Sequence, residues 1–237
     1  MPNTYFTFKQ FTVHHDKCAM KVGTDGVLIG AWTDLHDAGH ILDIGTGTGI
    51  ISLMLAQRSS AHILAVDIDE GAVEQARINI SASPWPGQIT VRQADILQLS
   101  QQSEMENKFD VIVSNPPYFQ EEVKCPEGQR NTARHTDTLT FDSLLQSASA
   151  MLRNNGTFSV VLPAAVAPDF ITLALRHQLQ LSRQTWVHTK EGKQPKRILM
   201  EFRKGRVEQT LTTHLNMVDL QGNRTPEYTT LVNDFYL

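Results

Sequence analysis

The stretch His40-Ile41-Leu42-Asp43-Ile44-Gly45-Thr46-Gly47-Thr48-Gly49 decides the fold. Its first half reads as a strand. Its second half is a glycine-rich turn opening a helix over residues 50–58, apolar at Ile50, Leu53, Met54 and Leu55. Glycines at such a turn let the backbone reach φ values closed to other residues and approach a ligand closely. Working outward, the strand-then-helix unit recurs. Residues 62–67 form a second strand and 70–81 its helix, and 89–92 and 109–114 are the third and fourth strands. A helix over 141–152 stops at Asn154-Asn155-Gly156, and a fifth strand over 157–162 is capped by Pro163. Residues 179–188 and 197–203 make a terminal hairpin. Alternation of this kind predicts a doubly wound α/β sheet with helices on both faces.

A chain of 237 residues, 41% of them hydrophobic, can bury its core as one domain. No repeat, low-complexity tract or linker marks a second one. Cys18 and Cys125 form neither a metal spacing nor a disulfide framework, which predicts no metal and fits the reducing cytoplasm. The opening MPNTYFTFKQ lacks the charge pattern of a signal peptide, and no run of about 18 apolar residues predicts a membrane span. Net charge is −4, but it is unevenly spread. Residues 1–110 hold seven Lys/Arg against thirteen Asp/Glu, whereas 176–206 hold nine Lys/Arg against two Glu. That asymmetry suits either a polyanionic partner or a solvated basic face.

The glycine spacing is G-x-G-x-G, unlike the G-x-G-x-x-G that presents a helix N-terminus to a pyrophosphate. Asp43, two residues ahead of Gly45, suits a cationic ammonium such as the methionyl end of S-adenosylmethionine, which carries no phosphate. Gly45, Thr46, Gly47 and Gly49 then form the bed of that ligand. Asp67 closes the second strand 18 residues past Gly49, where it can accept from both ribose hydroxyls. Asp95, in Gln93-Ala94-Asp95-Ile96, is placed for the exocyclic amine of an adenine. Each Asp alone also reads as a helix N-cap, and the glycine turn alone as a structural tight turn. Three strand ends in order, each with the expected group, favour the ligand.

Asn115-Pro116-Pro117-Tyr118 follows the fourth strand, at the carboxyl end where open α/β sheets place their chemistry. Two prolines fix φ and remove two backbone donors, leaving carbonyls as acceptors. Asn115 adds a side-chain acceptor and Tyr118 a flat stacking face. The set suits a planar substrate carrying NH2 on a conjugated carbon.

Asp43 to Gly49, Asp67, Asp95 and Asn115-Pro116-Pro117-Tyr118 together resemble the class I S-adenosylmethionine-dependent methyltransferases with an N-P-P-Y motif, over roughly residues 40–163. The resemblance implies a Rossmann-like, seven-stranded, mostly parallel sheet with an antiparallel last strand, the role open to residues 197–203. It also implies S-adenosyl-L-methionine as methyl donor and S-adenosyl-L-homocysteine as product. N-P-P-Y families divide by acceptor: adenine N6, guanine N2 in RNA, or a glutamine amide in a protein. Tyr5-Phe6-Thr7-Phe8-Lys9-Gln10-Phe11, residues 18–32 (CAMKVGTDGVLIGAW), Ser83-Pro84-Trp85 and Asp234-Phe235-Tyr236-Leu237 resemble the bacterial tRNA(Val) adenine-N6 methyltransferases, which modify the adenine beside the anticodon. Glutamine-modifying relatives usually carry a helical domain before the glycine loop, and only about 40 residues precede Asp43 here. A non-catalytic S-adenosylmethionine- and RNA-binding module would not require the intact N-P-P-Y.

The expected layout is a single methyltransferase domain over 1–237: a cap segment, 1–39, over the cofactor; a catalytic core, 40–205; and a C-terminal extension, 206–237. In related enzymes a segment like Lys21-Val22-Gly23-Thr24-Asp25-Gly26 closes over the cofactor, which makes Lys21, Thr24 and Asp25 candidate contacts. The alternative is an Asp25-Gly26 turn leading into a helix over 27–32. Phe6, Phe8 and Phe11 read as packing residues, and His14 and His15 as ordinary polar loop residues. Asn115 would border both cofactor and base. Arg130 and Arg134, beside the motif, and Lys190, Lys193, Lys196 and Arg197 are candidate tRNA contacts or solvated loop charges.

Overall fold

The structure, a computed structural model, describes residues 4–17, 22–117 and 139–237. The chain opens with a hairpin of β1 (Tyr5–Thr7) and β2 (Thr12–His14), then α1 (Thr24–Trp32). Strand–helix units follow: β3 (His40–Ile44), α2 (Ile50–Arg58), β4 (His62–Asp67), α3 (Glu70–Ser81), β5 (Ile89–Gln93), α4 (Ile96–Ser100) and β6 (Phe109–Ser114). The second half holds α5 (Phe141–Met151), β7 (Leu152–Pro163), α6 (Ala167–Arg176), β8 (Leu179–His188), β9 (Arg197–Lys204), β10 (Leu211–Asn216) and α7 (Pro226–Val232).

The main sheet has the order β10-β8-β9-β7-β6-β3-β4-β5. Among the described strands of this sheet, only β9 runs antiparallel to its neighbours, β7 and β8. The sheet therefore carries an eighth strand beyond the seven implied by resemblance: β10 adds in parallel register outside β8. Strand alternation divides the core between two faces. Ile41, Val111, Val113 and Leu199 pack with Val27, Leu28, Leu53 and Met54 on one face. Leu42, Ile112, Ile198, Met200 and Phe202 pack with Leu144, Leu145, Met151 and Phe170 on the other. Among the described residues, no helix is long and apolar enough to cross a membrane.

Three sequence expectations are corrected here. The helix ends at Met151, and Asn154-Asn155-Gly156 forms an irregularity inside β7 instead of the stop. Pairing with β6 jumps from Phe109↔Leu152 to Val111↔Thr157, with Asn155 at φ 65° and Gly156 against the Asp110 and Arg153 carbonyls. Helix α1 begins at Thr24, so Thr24-Asp25-Gly26 is its first turn and not a loop. His14 belongs to β2, and His15 is buried.

Helix α1 is held along its length, and this matters for the site. Gly26 and Gly30 face α2: a Cβ at Gly26 would lie 3.3 Å from the Ile50 side chain, and one at Gly30 only 2.8 Å from Met54 Sδ. Arg58 Nη1 donates to the Gly30 and Thr33 carbonyls at 2.8 and 2.9 Å, capping the helix C-terminus, where positive charge is favoured. Arg183 stacks on the Trp32 ring at 3.7 Å and pairs with Glu201 of β9 at 2.8 Å. The N-terminal hairpin is pegged to α3 by Asn79, which is fully buried. Its Oδ1 accepts from His14 N at 2.9 Å, and its Nδ2 donates to the carbonyls of His14 at 2.9 Å and Thr48 at 2.8 Å. Four residues earlier, one helical turn away, Gln75 Oε1 accepts from Lys17 N at 3.0 Å.

Candidate active site

Strands β3 and β6 are neighbours whose ends coincide: Ile44 pairs with Ser114, and Ser114 Oγ donates to the Ile44 carbonyl at 2.9 Å. The glycine turn leaves β3 where Asn115 leaves β6, so two motifs about 70 residues apart in sequence share one sheet edge. Gly45, Gly47 and Gly49 all adopt positive φ (71°, 55° and 82°), a region that disfavours side chains. The amides of Gly45 and Thr46 both donate to the Val66 carbonyl at 2.9 Å, folding the turn over the end of β4. A Cβ at Gly45 would meet nothing within 4 Å, whereas one at Gly49 would touch Ala76 at 3.4 Å. The first glycine therefore leaves space above the turn, and the third lets α2 approach α3.

A cleft of about 570 Å³ lies over these strand ends. Residues 45–48 with Ile50 and Ile51 form one wall, residues 23–26 another, and Asn115, Pro116, Pro117 and Arg197 the remainder. That volume suits a small-molecule ligand of nucleoside type. Thr24, Asp25, Gly45, Thr46, Gly47, Asn115, Pro116 and Pro117 thus come together as the sequence predicts. Gly23, Gly26, Thr48, Ile50 and Ile51 join them without having been singled out. Ile50 and Ile51 read in sequence only as the apolar start of a helix, and nothing there signals a pocket wall.

Asp43, Asp67 and Asp95, together with Gly49, are not among the described residues that line the cleft. Asp43 is fully buried, and its Oδ2 accepts from Thr46 Oγ1 and Ser52 Oγ, both at 2.7 Å. Its Oδ1 is buried without a partner. Burial pushes the Asp43 carboxyl up to about 6, against the two hydroxyl bonds that pull it down, with the Asp67 charge adding to the rise. Asp67 accepts from Gly47 N at 2.8 Å and Asp69 N at 3.1 Å, so it braces the glycine turn from the end of β4. Asp95 caps α4, its Oδ1 accepting from Leu97 N at 2.9 Å. The N-cap alternative thus describes Asp95, whereas the cap of α3 is Asp69 and not Asp67.

The basic residues separate. Lys190, Lys193 and Lys196 sit in the β8–β9 connection, with Lys193 and Lys196 exposed. Because β8 runs parallel to β10 and antiparallel to β9, this connection leaves the sheet at the same carboxyl edge as Asn115. Arg197 departs from that group: it lines the cleft, and its Nε donates to Asp25 Oδ2 at 2.7 Å. Lys21, Tyr118, Arg130 and Arg134 lie outside the described residues.

A buried carboxylate oxygen in need of a partner, a glycine turn with open space above it and a mixed apolar and polar wall fit a cationic, nucleoside-bearing ligand. A family model described as a methyltransferase domain matches residues 35–205. A tRNA1(Val) (adenine(37)-N6)-methyltransferase of Phocaeicola vulgatus is 54% identical over all of this chain and 99% of its own length. Proteins of the same name from Bacteroides fragilis and Pectobacterium carotovorum are 48% and 43% identical, covering 100% and 98% of this chain and 99% and 93% of their own. Among solved structures, a predicted O-methyltransferase from Agrobacterium tumefaciens superposes with a TM-score of 0.70 at 19% identity, covering 89% of this chain and 96% of that one. A ribosomal-protein methylase from Lactobacillus delbrueckii gives 0.57 at 15% identity, covering 81% and 83%. At such identities these structures share the fold.

Proposed function

The chain belongs to the bacterial tRNA1(Val) (adenine(37)-N6)-methyltransferase family, and from that premise we propose that it methylates the exocyclic N6 of the adenine next to the anticodon in tRNA(Val). The observation that carries this reading is the placement of Asn115, Pro116 and Pro117 in one cleft with the glycine turn.

S-adenosylmethionine, when bound, supplies an electrophilic methyl group on sulfur and leaves as S-adenosylhomocysteine. Gly45, Thr46 and Gly47 give its bed, Gly49 serves the packing of α2 on α3, and the charge of Asp43 beneath the turn favours the ammonium. Asp67 retains lone pairs for the ribose hydroxyls after accepting from Gly47 and Asp69. Asp95 keeps its second oxygen for the adenine amine. Thr24 borders the donor from α1, Lys21 belongs to the same sequence segment, and Asp25 turns from that wall to Arg197 at 2.7 Å.

An aromatic amine is a poor nucleophile because its lone pair is delocalised into the ring. Acceptance of the two amino hydrogens by the Asn115 side-chain oxygen and the Pro116 carbonyl favours a pyramidal nitrogen with its lone pair directed at the methyl group. Tyr118 is assigned to stacking on the base, and Asn115 also contacts the donor. No strong base is required, because methylation acidifies the nitrogen and its proton then leaves to solvent. Orientation and fixed dipoles supply most of the acceleration.

An anticodon-loop base must leave its stack to enter, at a cost of roughly a few kcal/mol. Lys190, Lys193 and Lys196, with Arg130 and Arg134, are assigned to the flanking RNA backbone. The test is incubation with methyl-labelled donor and a tRNA(Val) transcript, followed by nucleoside mass spectrometry. N6-methyladenosine at the base beside the anticodon is expected. Label in guanosine, or only in a protein fraction, would overturn the assignment of the acceptor.

A further inference from the structure

We infer that Arg197 holds a backbone phosphate of the target nucleotide inside the cleft, with Asp25 as the positioning residue that aims it. This rests on the reading of Asn115-Pro116-Pro117 as the seat of the acceptor base. Among the described residues lining the cleft, Asp25 and Arg197 are the charged ones, 2.7 Å apart and 23% and 34% exposed. The pair is therefore reachable by an incoming ligand.

Position assigns Arg197 to the acceptor and not to the donor. The turn and carboxylates proposed for the donor end β3, β4 and β5, on one side of β6. Arg197 begins β9 on the opposite side, paired with Pro163 at the end of β7, which itself lies beside β6. Strand alternation aims it inward: Arg197, Leu199 and Glu201 share the face on which Leu199 packs with α1 residues, while Ile198 and Met200 face the other core. The preceding backbone is pinned, with Lys196 N donating to Val187 O at 3.0 Å and Ala164 N donating to Lys196 O at 3.2 Å. Arg197 Nη1 also donates to Lys196 O, at 3.1 Å. The exposed lysines of the β8–β9 connection thus lead by sequence and by space into one guanidinium at the mouth of the base site.

The chemistry fits. A guanidinium presents a planar fork matched to phosphate oxygens, and one whose Nε is already held by a carboxylate loses little freedom when its terminal nitrogens donate to a phosphate. A base splayed from its stack brings its own phosphate to the rim of the pocket that receives it. Phosphate recognition at that point registers the nucleotide without reading its identity.

The test compares wild type with Arg197→Ala and Arg197→Lys, measuring donor affinity by calorimetry, and tRNA affinity as a function of salt with and without turnover. For Arg197→Ala the inference predicts a tRNA KM raised about tenfold or more, with kcat falling less than KM rises. It also predicts a log–log salt slope shallower by about 0.7, one phosphate contact to a single strand, and donor affinity close to wild type, which doubles as the check on folding. Arg197→Lys should restore the slope but recover only part of KM. Weakened donor binding with an unchanged salt slope would overturn the inference and give Arg197 to the donor's carboxylate. An unchanged slope with unchanged donor binding would overturn it as well, leaving a structural ion pair. The slope is an equilibrium reading, so methylation of a different base by wild type would sink the adenine assignment without altering this result.

Discussion

On the β3–β4–β5 side of the cleft, contacts are made between neighbouring strand ends and over short sequence distances. Asp43 meets Thr46 and Ser52, three and nine residues on, and Gly47 meets Asp67 twenty residues on. On the β7–β9–β8 side, Asp25 meets Arg197 across 172 residues, Trp32 donates to Thr185 across 153, and Arg183 reaches back to the Trp32 carbonyl across 151. The first side is a bed assembled from the turns that end each strand. The second is a wall made by laying α1 across a hairpin from the far end of the chain. The donor side can thus be disturbed locally, whereas the acceptor side depends on how α1 is seated.

Four changes sharpen that contrast. Replacing Asp67 with Ala removes the brace on Gly47 and the proposed ribose acceptor together. Two charge-assisted bonds at about 1.5–3 kcal/mol each lead us to expect donor affinity to fall about a hundredfold or more, while tRNA affinity stays near wild type; calorimetry with donor alone reads this directly. Asn79→Ala strands the buried Thr48 carbonyl and removes the partner of the part-buried His14 amide and carbonyl, and should cost about 2 kcal/mol of stability, seen as a lowered urea midpoint.

A pH titration of donor binding gives the third. The Asp43 carboxyl titrates near 6 in the folded protein because burial disfavours its charge, above its ordinary value of 3.8. Its contribution to stability is therefore full below pH 3.8 and is lost as pH rises through about 6, since the native state holds its proton longer than the unfolded chain. A cationic donor favours the carboxylate, so affinity should be flat above pH 6 and weaken by up to tenfold per pH unit below it. Asp43→Asn should abolish that slope. The smallest effect belongs to the outer rim: Lys193→Ala combined with Lys196→Ala should shallow the salt slope of tRNA binding by about 0.7 per lost contact and raise KM a few-fold. An unchanged slope would remove this loop from the RNA interface.

Legibility in the sequence follows the same division. Strand ends and the meeting of the glycine turn with Asn115-Pro116-Pro117 are readable because parallel strands end at one edge, so order along the chain becomes order in space. Asp67 and Asp95 stand at the ends of β4 and β5 as read, with bonds to Gly47 and Leu97. Asp43 is readable as a charge near the turn, but its burial and its bonds to Thr46 and Ser52 emerge only when α2 packs over β3. Arg197 looks like one more base in a basic run, because nothing local shows that β9 turns it inward while Lys193 and Lys196 stay outside. Strand β10 is similarly hidden: Leu211-Thr212-Thr213-His214-Leu215-Asn216 is largely exposed and lacks an apolar run, and pairing with β8 defines it. The Asn154-Asn155-Gly156 signal is real but marks a bulge, since α5 already ends where Leu152 pairs with Phe109.

The central claim is that Asn115 acts on the acceptor amine, its contact with the donor being secondary to the bed formed by the glycine turn. The most direct test is Asn115→Ala, with single-turnover methylation of a tRNA(Val) transcript and donor affinity measured on the same preparation. A rate reduced about a hundred- to a thousandfold, with donor affinity close to wild type, is the predicted result. A near-normal rate, or a loss of activity explained wholly by lost donor binding, would contradict it.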